Sequence, residues 1–220
     1  LSEMRRAGLR PNAITYSASI SACERGGHWM QALLLLTEMR RSSLQRNDII
    51  CNATMSACEK GQQWMQVLAM LAQMREAIVA PSAITYNATT SACESRQQWT
   101  RAVSFFSEMR RAGLQADSIM YNAAISACEK GRQWEESLVL LADTETNALH
   151  VDVVTYSASI SACEKDRHWV EAVHLLAGMH RHSLRPNVVT YGAAMSTAER
   201  GHQWAQALGL LVALRRDQLQ

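Results

Sequence analysis

Apolar positions along the chain recur with two periods at once, a short one of three to four residues and a long one of 35. From Ala13 onward, Tyr16, Ile20 and Cys23 stand at i, i+4 and i+7, the spacing that gathers side chains on one face of a helix. The polar run Glu24-Arg25-Gly26-Gly27 breaks that stripe, and Trp29, Ala32, Leu33, Leu36 and Met39 begin another at the same period. One unit is therefore expected to hold two helices. The second is expected to close at Ala-Gly-Leu, found at Gly8 and Gly113, because glycine takes up the left-handed conformation that ends a helix without steric cost.

All six tryptophans, Trp29, Trp64, Trp99, Trp134, Trp169 and Trp204, share one phase of the long period. The tyrosines, Tyr16, Tyr86, Tyr121, Tyr156 and Tyr191, share another, with Cys51 in the vacant place. Cys23, Cys58, Cys93, Cys128 and Cys163 share a third, with Ala198 completing it, and Pro11, Pro81 and Pro186 are also spaced by multiples of 35. A single hairpin of this length cannot bury its apolar face, whereas stacked hairpins form a continuous core and an extended surface. The expected fold is all-α, a right-handed α-solenoid of stacked 35-residue helix-turn-helix repeats.

Complete units are expected at 13–47, 48–82, 83–117, 118–152 and 153–187, with 1–12 as the tail of an earlier unit and 188–220 nearly complete. With no Ser/Gly-rich linker or shift in composition, residues 1–220 read as one array. Position 1 is leucine rather than methionine and both ends fall inside a unit. The expectation is a segment of a longer array, with the natural start and any targeting segment outside it.

Composition narrows the class of protein. The 220 residues carry 22 Lys+Arg against 20 Asp+Glu and are 48% apolar, which describes a folded chain. No run approaches the roughly 18 consecutive apolar residues of a spanning helix, so no membrane partner is expected. A net charge of +2 is too small for a polycation that coats nucleic acid indiscriminately, and any such binding must use locally arranged charge. Catalysis has no support, since the sequence holds no phosphate-binding glycine loop, nucleophile motif or zinc-deaminase signature.

The cysteine column invites a metal or disulfide reading. Packed helices lie about 9–10 Å apart, whereas a disulfide needs Cα atoms within roughly 7 Å. Cys23 with His28, or Cys163 with His168, supply isolated pairs rather than four-ligand sets. Buried free thiols in a reducing compartment are expected, with neither metal nor cofactor. The tryptophans are assigned to packing between units.

Four other columns carry candidate chemistry. Directly after the tyrosine phase stand Ser17, Asn52, Asn87, Asn122, Ser157 and Gly192, residues that compete with helical hydrogen bonds. Four residues before the next tyrosine phase stand Asn47, Ser82, Asp117, Asp152 and Asn187, with Asn12 ahead of the first unit, all good N-caps. Helix-start chemistry explains both columns, and so does recognition of the Watson–Crick edges of single-stranded bases by short amides and hydroxyls. Two residues before the tyrosine phase stand Ile14, Ile49, Ile84, Ile119, Val154 and Val189, which core packing would explain. Nine residues after it stand Arg25, Lys60, Ser95, Lys130, Lys165 and Arg200, each preceded by glutamate. Its cations offset a helix dipole or line up as a track for a phosphate backbone.

The chain resembles the pentatricopeptide repeat family of RNA-binding proteins along its whole length. The likeness rests on Val-Val-Thr-Tyr at 153–156 and 188–191, Ile-Thr-Tyr-Asn at 84–87, Ser-Glu-Met-Arg-Arg-Ala-Gly-Leu at 107–114 and Arg-Pro-Asn at 10–12 and 185–187. Tetratricopeptide repeats keep a period of about 34 and other signature positions. Departures are Cys51 in the tyrosine column, Thr144 where other units carry methionine, and Gly192 after the last tyrosine.

The resemblance implies that the first two columns form a base-reading pair and that the Ile/Val column sandwiches base planes. Ser17/Asn47 would read A, Asn52/Ser82 C, Asn87/Asp117 and Asn122/Asp152 U, and Ser157/Asn187 A, giving 5′-ACUUA-3′. Arg25, Lys60, Lys130, Lys165 and Arg200 would contact phosphates. It further implies a single-stranded RNA partner, protein partners in RNA-processing complexes, a monomer, and work on mitochondrial or chloroplast transcripts. A scaffold whose groove holds a peptide stays open as an alternative.

Overall fold

The computed structural model describes residues 11–42, 44, 47–94 and 98–218. Residues 1–10, which hold Gly8 and all of the expected earlier tail but Pro11 and Asn12, lie outside them, as does Ser95. The described residues form helix pairs in the predicted register: α1 Ala13–Arg25 and α2 Trp29–Arg41, α3 Asp48–Lys60 and α4 Trp64–Glu76, α5 Ala83–Glu94 and α6 Trp99–Arg111. They continue with α7 Ser118–Lys130 and α8 Trp134–Thr146, α9 Val153–Lys165 and α10 Trp169–Arg181, α11 Val188–Arg200 and α12 Trp204–Gln218.

Each start and stop has a local cause. The side chains of Asn12, Asn47, Asp117, Asp152 and Asn187 accept from the backbone N–H three residues on, and so cap the first helices. The second helices α4, α6, α8 and α10 end in a left-handed residue, followed by an N–H that reaches back to the carbonyl at the methionine phase. Val79, Leu114, Leu149 and Leu184 donate in this way to Met74, Met109, Thr144 and Met179 at 2.9–3.2 Å. Gly113 takes the left-handed conformation as expected, but Ile78, Ala148 and Ser183 adopt it without being glycine. Thr144 is buried like the methionines it replaces, its hydroxyl donating to the Leu140 carbonyl at 2.8 Å.

Two compact units divide the chain, one of residues 1–96 and 107–115, the other of 97–106 and 116–220. In the first, α1, α3 and α5 pack in a row, α2 lying against α1 and α3, and α4 against α3 and α5. In the second, α7, α9 and α11 form the row, with α8 and α10 each bridging two of its members and α12 against α11. The core follows the predicted stripes: Tyr16, Tyr121, Tyr156 and Tyr191 are at most 2% exposed, and Ile20, Ile125, Ile160 and Met55 beside them are fully buried.

Tryptophan joins successive pairs, as the sequence suggests. A Cβ built on Gly131, at the end of α7, would collide with Trp99 Cδ1 and lie 2.5 Å from Trp99 Cγ; Gly61 faces Trp29 and Gly201 faces Trp169 in the same way. The atoms met are at the root of the indole, which cannot swing aside. Where aspartate replaces this glycine at Asp166, Trp134 instead stacks on His168 at 3.8 Å. Gly131→Ala, which raises helix propensity, is nonetheless expected to destabilise the fold by about 1–3 kcal/mol through overpacking. Thermal melting checks this: a melting temperature several degrees lower is the expected result, and an unchanged or higher one contradicts the packing role.

Candidate functional site

The Ile/Val column is not in the core. Ile14, Ile49, Ile84, Ile119, Val154 and Val189 are 59–76% exposed, so core packing is excluded as their role. They stand in the first turn of α1, α3, α5, α7, α9 and α11, beside the capping residues. Each first helix thus offers solvent one β-branched side chain at a fixed place, next to polar groups. Isolated exposed apolar residues are ordinary, but one at the same place in every first helix is a ligand-facing pattern.

Capping residue and first-helix residue meet across successive pairs. In the first unit, Asn52 Nδ2 donates to Ser82 Oγ at 3.0 Å, and the Thr85 hydroxyl donates to Asn52 Oδ1 at 2.6 Å. In the second unit the Thr155 hydroxyl lies 2.6 Å from Asn122 Oδ1 and 2.8 Å from Asp152 Oδ1. Ser157 Oγ lies 3.1 Å from the Thr190 hydroxyl, which is 2.8 Å from Asn187 Oδ1. Ser157 also donates back to the Val153 carbonyl at 2.6 Å. Ser17 and Asn47 are not bonded to each other, and Ile50 stands where the sets of Asn52, Asn122 and Ser157 have threonine; Met120 holds that place in the set of Asn87. Asn87 belongs to the first unit and Asp117 to the second.

Capping and pairing are therefore two uses of the same side chains. The Asp152 carboxyl shows the balance: burial works to raise its pKa, but bonds from the Thr155 N–H and hydroxyl and the Val154 N–H, with His150 nearby, together hold it below the usual value. It is anionic at neutral pH.

The cations reach backward along the stack. Lys60 pairs with Glu24 at 3.5 Å, Lys165 with Glu129 at 3.3 Å and Arg200 with Glu164 at 3.4 Å, each glutamate belonging to the preceding helix pair. Lys165 Nζ also donates to the Glu129 carbonyl at 2.8 Å. Glu24, Glu129 and Glu164 thus each have a definite partner, the cation of the next pair. Glutamates of this column also accept from serines, Ser91 on Glu59 and Ser196 on Glu164. Such half-exposed pairs contribute about 0–1 kcal/mol each and leave the cations within reach of a competing anion.

The cysteines are free, and all but Cys23 are buried. Burial pushes the thiols of Cys58, Cys128 and Cys163 up to about 11, 12 and 12, the last two aided by Glu136 and Glu171 respectively, so they are inert at neutral pH. Thr85, Thr155 and Thr190 are the residues that sequence reasoning missed. Their signal was present, one residue before the tyrosine phase in register with Thr15.

Comparison with known proteins supplies an independent line. Residues 14–44, 84–114 and 119–144 match the PPR repeat, 34–96 the pentatricopeptide repeat domain and 151–197 the PPR repeat family. No curated protein matches in sequence. Among solved structures, the pentatricopeptide repeat protein PPR10 from maize is similar at 24% identity and TM-score 0.66, covering 98% of this chain and 31% of that one. PPR10 in complex with an 18-nt psaJ RNA element is similar at 26% identity and TM-score 0.64, covering 95% of this chain and 29% of that one. The PPR domain of Arabidopsis thaliana protein-only RNase P 1, in complex with tRNA, is similar at 14% identity and TM-score 0.74, covering 83% of this chain and 96% of that domain. The chain spans about 31% of the length of PPR10. These likenesses show the α-solenoid fold.

Proposed function

We propose, from the premise that this chain belongs to the pentatricopeptide repeat family, that it binds single-stranded RNA and reads one base per repeat. The observation that carries the reading is the exposed column Ile14, Ile49, Ile84, Ile119, Val154 and Val189 beside paired polar residues. An aliphatic side chain packs on the face of any base, while an amide, carboxylate or hydroxyl next to it tests the base edge. The proposed site is 5′-ACUUA-3′, read by Ser17/Asn47, Asn52/Ser82, Asn87/Asp117, Asn122/Asp152 and Ser157/Asn187 in that order. We place its targets among organellar transcripts, where it would stabilise, process or control translation of an RNA by occupying a short segment.

Arg25, Lys60, Lys130, Lys165 and Arg200 would meet the phosphates, exchanging a glutamate for a phosphate oxygen where they are paired. With five such contacts at most, log K should fall with log salt at a slope no steeper than about −3.5. Lys60→Ala should flatten that slope by about 0.7 without changing base preference. The test is a salt titration with an RNA carrying single-stranded ACUUA and with the same RNA annealed to its complement. Tight binding of the single strand alone is the expected result. Equal binding of both, or a slope that Lys60→Ala leaves unchanged, contradicts base reading or the phosphate track respectively.

A further inference from the structure

We propose that the threonine one residue before the buried tyrosine is a specificity-positioning residue: the Thr155 hydroxyl holds the Asn122 amide in one orientation and so decides which base edge the fourth complete repeat accepts. The proposal rests on the RNA-reading role above and adds a third member to the reading pair. Thr155 is buried, so it acts through Asn122 rather than on RNA.

The Asn122 amide bonds through its oxygen to the Thr155 hydroxyl at 2.6 Å. Among the described residues its nitrogen has no protein partner, which leaves both N–H groups for a ligand. Those donors match the O4 acceptor of uracil and oppose the 4-amino group of cytosine, itself a donor. The last torsion of an asparagine is broad and roughly two-fold, so without the hydroxyl the amide turns over at little cost and offers its oxygen to cytosine instead. At Asn52, where Thr85 makes the same contact, Nδ2 donates to Ser82 Oγ at 3.0 Å, so the donor that faces uracil at Asn122 is engaged there and the cytosine assignment stands on the capping residue.

The same hydroxyl is 2.8 Å from Asp152 Oδ1. Having a single proton, it is shared by the two reading columns, and the charge of the capping residue is felt at Asn122 through it. The arrangement recurs: Thr85 stands 2.6 Å from Asn52, and Thr190 stands 3.1 Å from Ser157. Ser17/Asn47 and Ser157/Asn187 are chemically the same pair, but Ile50 offers Ser17 no hydroxyl where Thr190 serves Ser157. The first repeat is therefore expected to select its base less sharply than the fifth.

The experiment measures affinities for RNAs containing ACUUA and ACUCA with the native chain, Thr155→Val and Thr155→Ser, alongside thermal melting. The native chain should favour uracil tenfold or more, Thr155→Val should bring the ratio below threefold, and Thr155→Ser should keep it. A threonine of purely structural value would weaken both RNAs alike, and an unchanged ratio in Thr155→Val overturns the proposal. Should that variant fail to fold, Ile50→Thr carries the test: the ratio of ACUUA to GCUUA should rise threefold or more, and no rise overturns the proposal. A native chain indifferent to ACUUA and ACUCA removes the reading role itself, and the proposal with it.

Discussion

Replacing Ile119 and Val154 together by aspartate is expected to weaken single-stranded RNA binding about thirtyfold or more while leaving the fold intact. Each side chain is 66% exposed, so neither stabilises the core. Surface changes of this kind usually shift stability by no more than about 0.5 kcal/mol, and aspartate in the first turn of α7 and α9 is favoured by the helix dipole. Against RNA the cost is large. Covering an aliphatic side chain of this size with a base contributes about 1.5 kcal/mol or more, and a loss of roughly 2 kcal/mol over the pair already corresponds to about thirtyfold. The new carboxylates add repulsion from the phosphates.

Titration of an ACUUA-containing RNA, with melting curves for both proteins, checks this. An unchanged affinity would remove the column from the interface. The contrasting change, Ile125→Ala or Ile160→Ala in the buried stripe, should cost about 2–5 kcal/mol of stability.

Much of this was legible in the residues because the same information is written again in each repeat. Trp29 to Trp204 and Tyr16 to Tyr191 fix the register, and the Asn12 column marks where first helices begin. The exposure of the Ile/Val column was legible too, though core packing was an equal reading. Ile119 precedes Tyr121 by two residues, about 200° around a helix, so the two cannot share a buried face.

What was not legible depends on the stack. Lys165 follows Glu164 in sequence but pairs with Glu129, 36 residues back. Thr155 meets Asn122 across 33 residues. Neither partner follows from a pattern within one repeat, because each depends on how one hairpin is set against the next.

The central claim is that two residues per repeat choose the base, and exchanging them tests it most directly. The fourth and fifth repeats share the buried tyrosine, the exposed valine or isoleucine and the cation, but differ in the pair, Asn122/Asp152 against Ser157/Asn187. The double change Ser157→Asn with Asn187→Asp gives the fifth repeat the uracil-reading pair, with Thr190 still in place beside it. A hydrogen-bonded base edge discriminates by about 1–3 kcal/mol, so the ratio of affinities for ACUUA and ACUUU should invert by tenfold or more. Capping alone predicts no change, since asparagine and aspartate cap about equally well and neither would sense the RNA. Both RNAs are measured against both proteins at one salt concentration. Preference for ACUUA in the native chain and for ACUUU in the double variant is the expected result, and the same ratio in both proteins would contradict base reading by these columns.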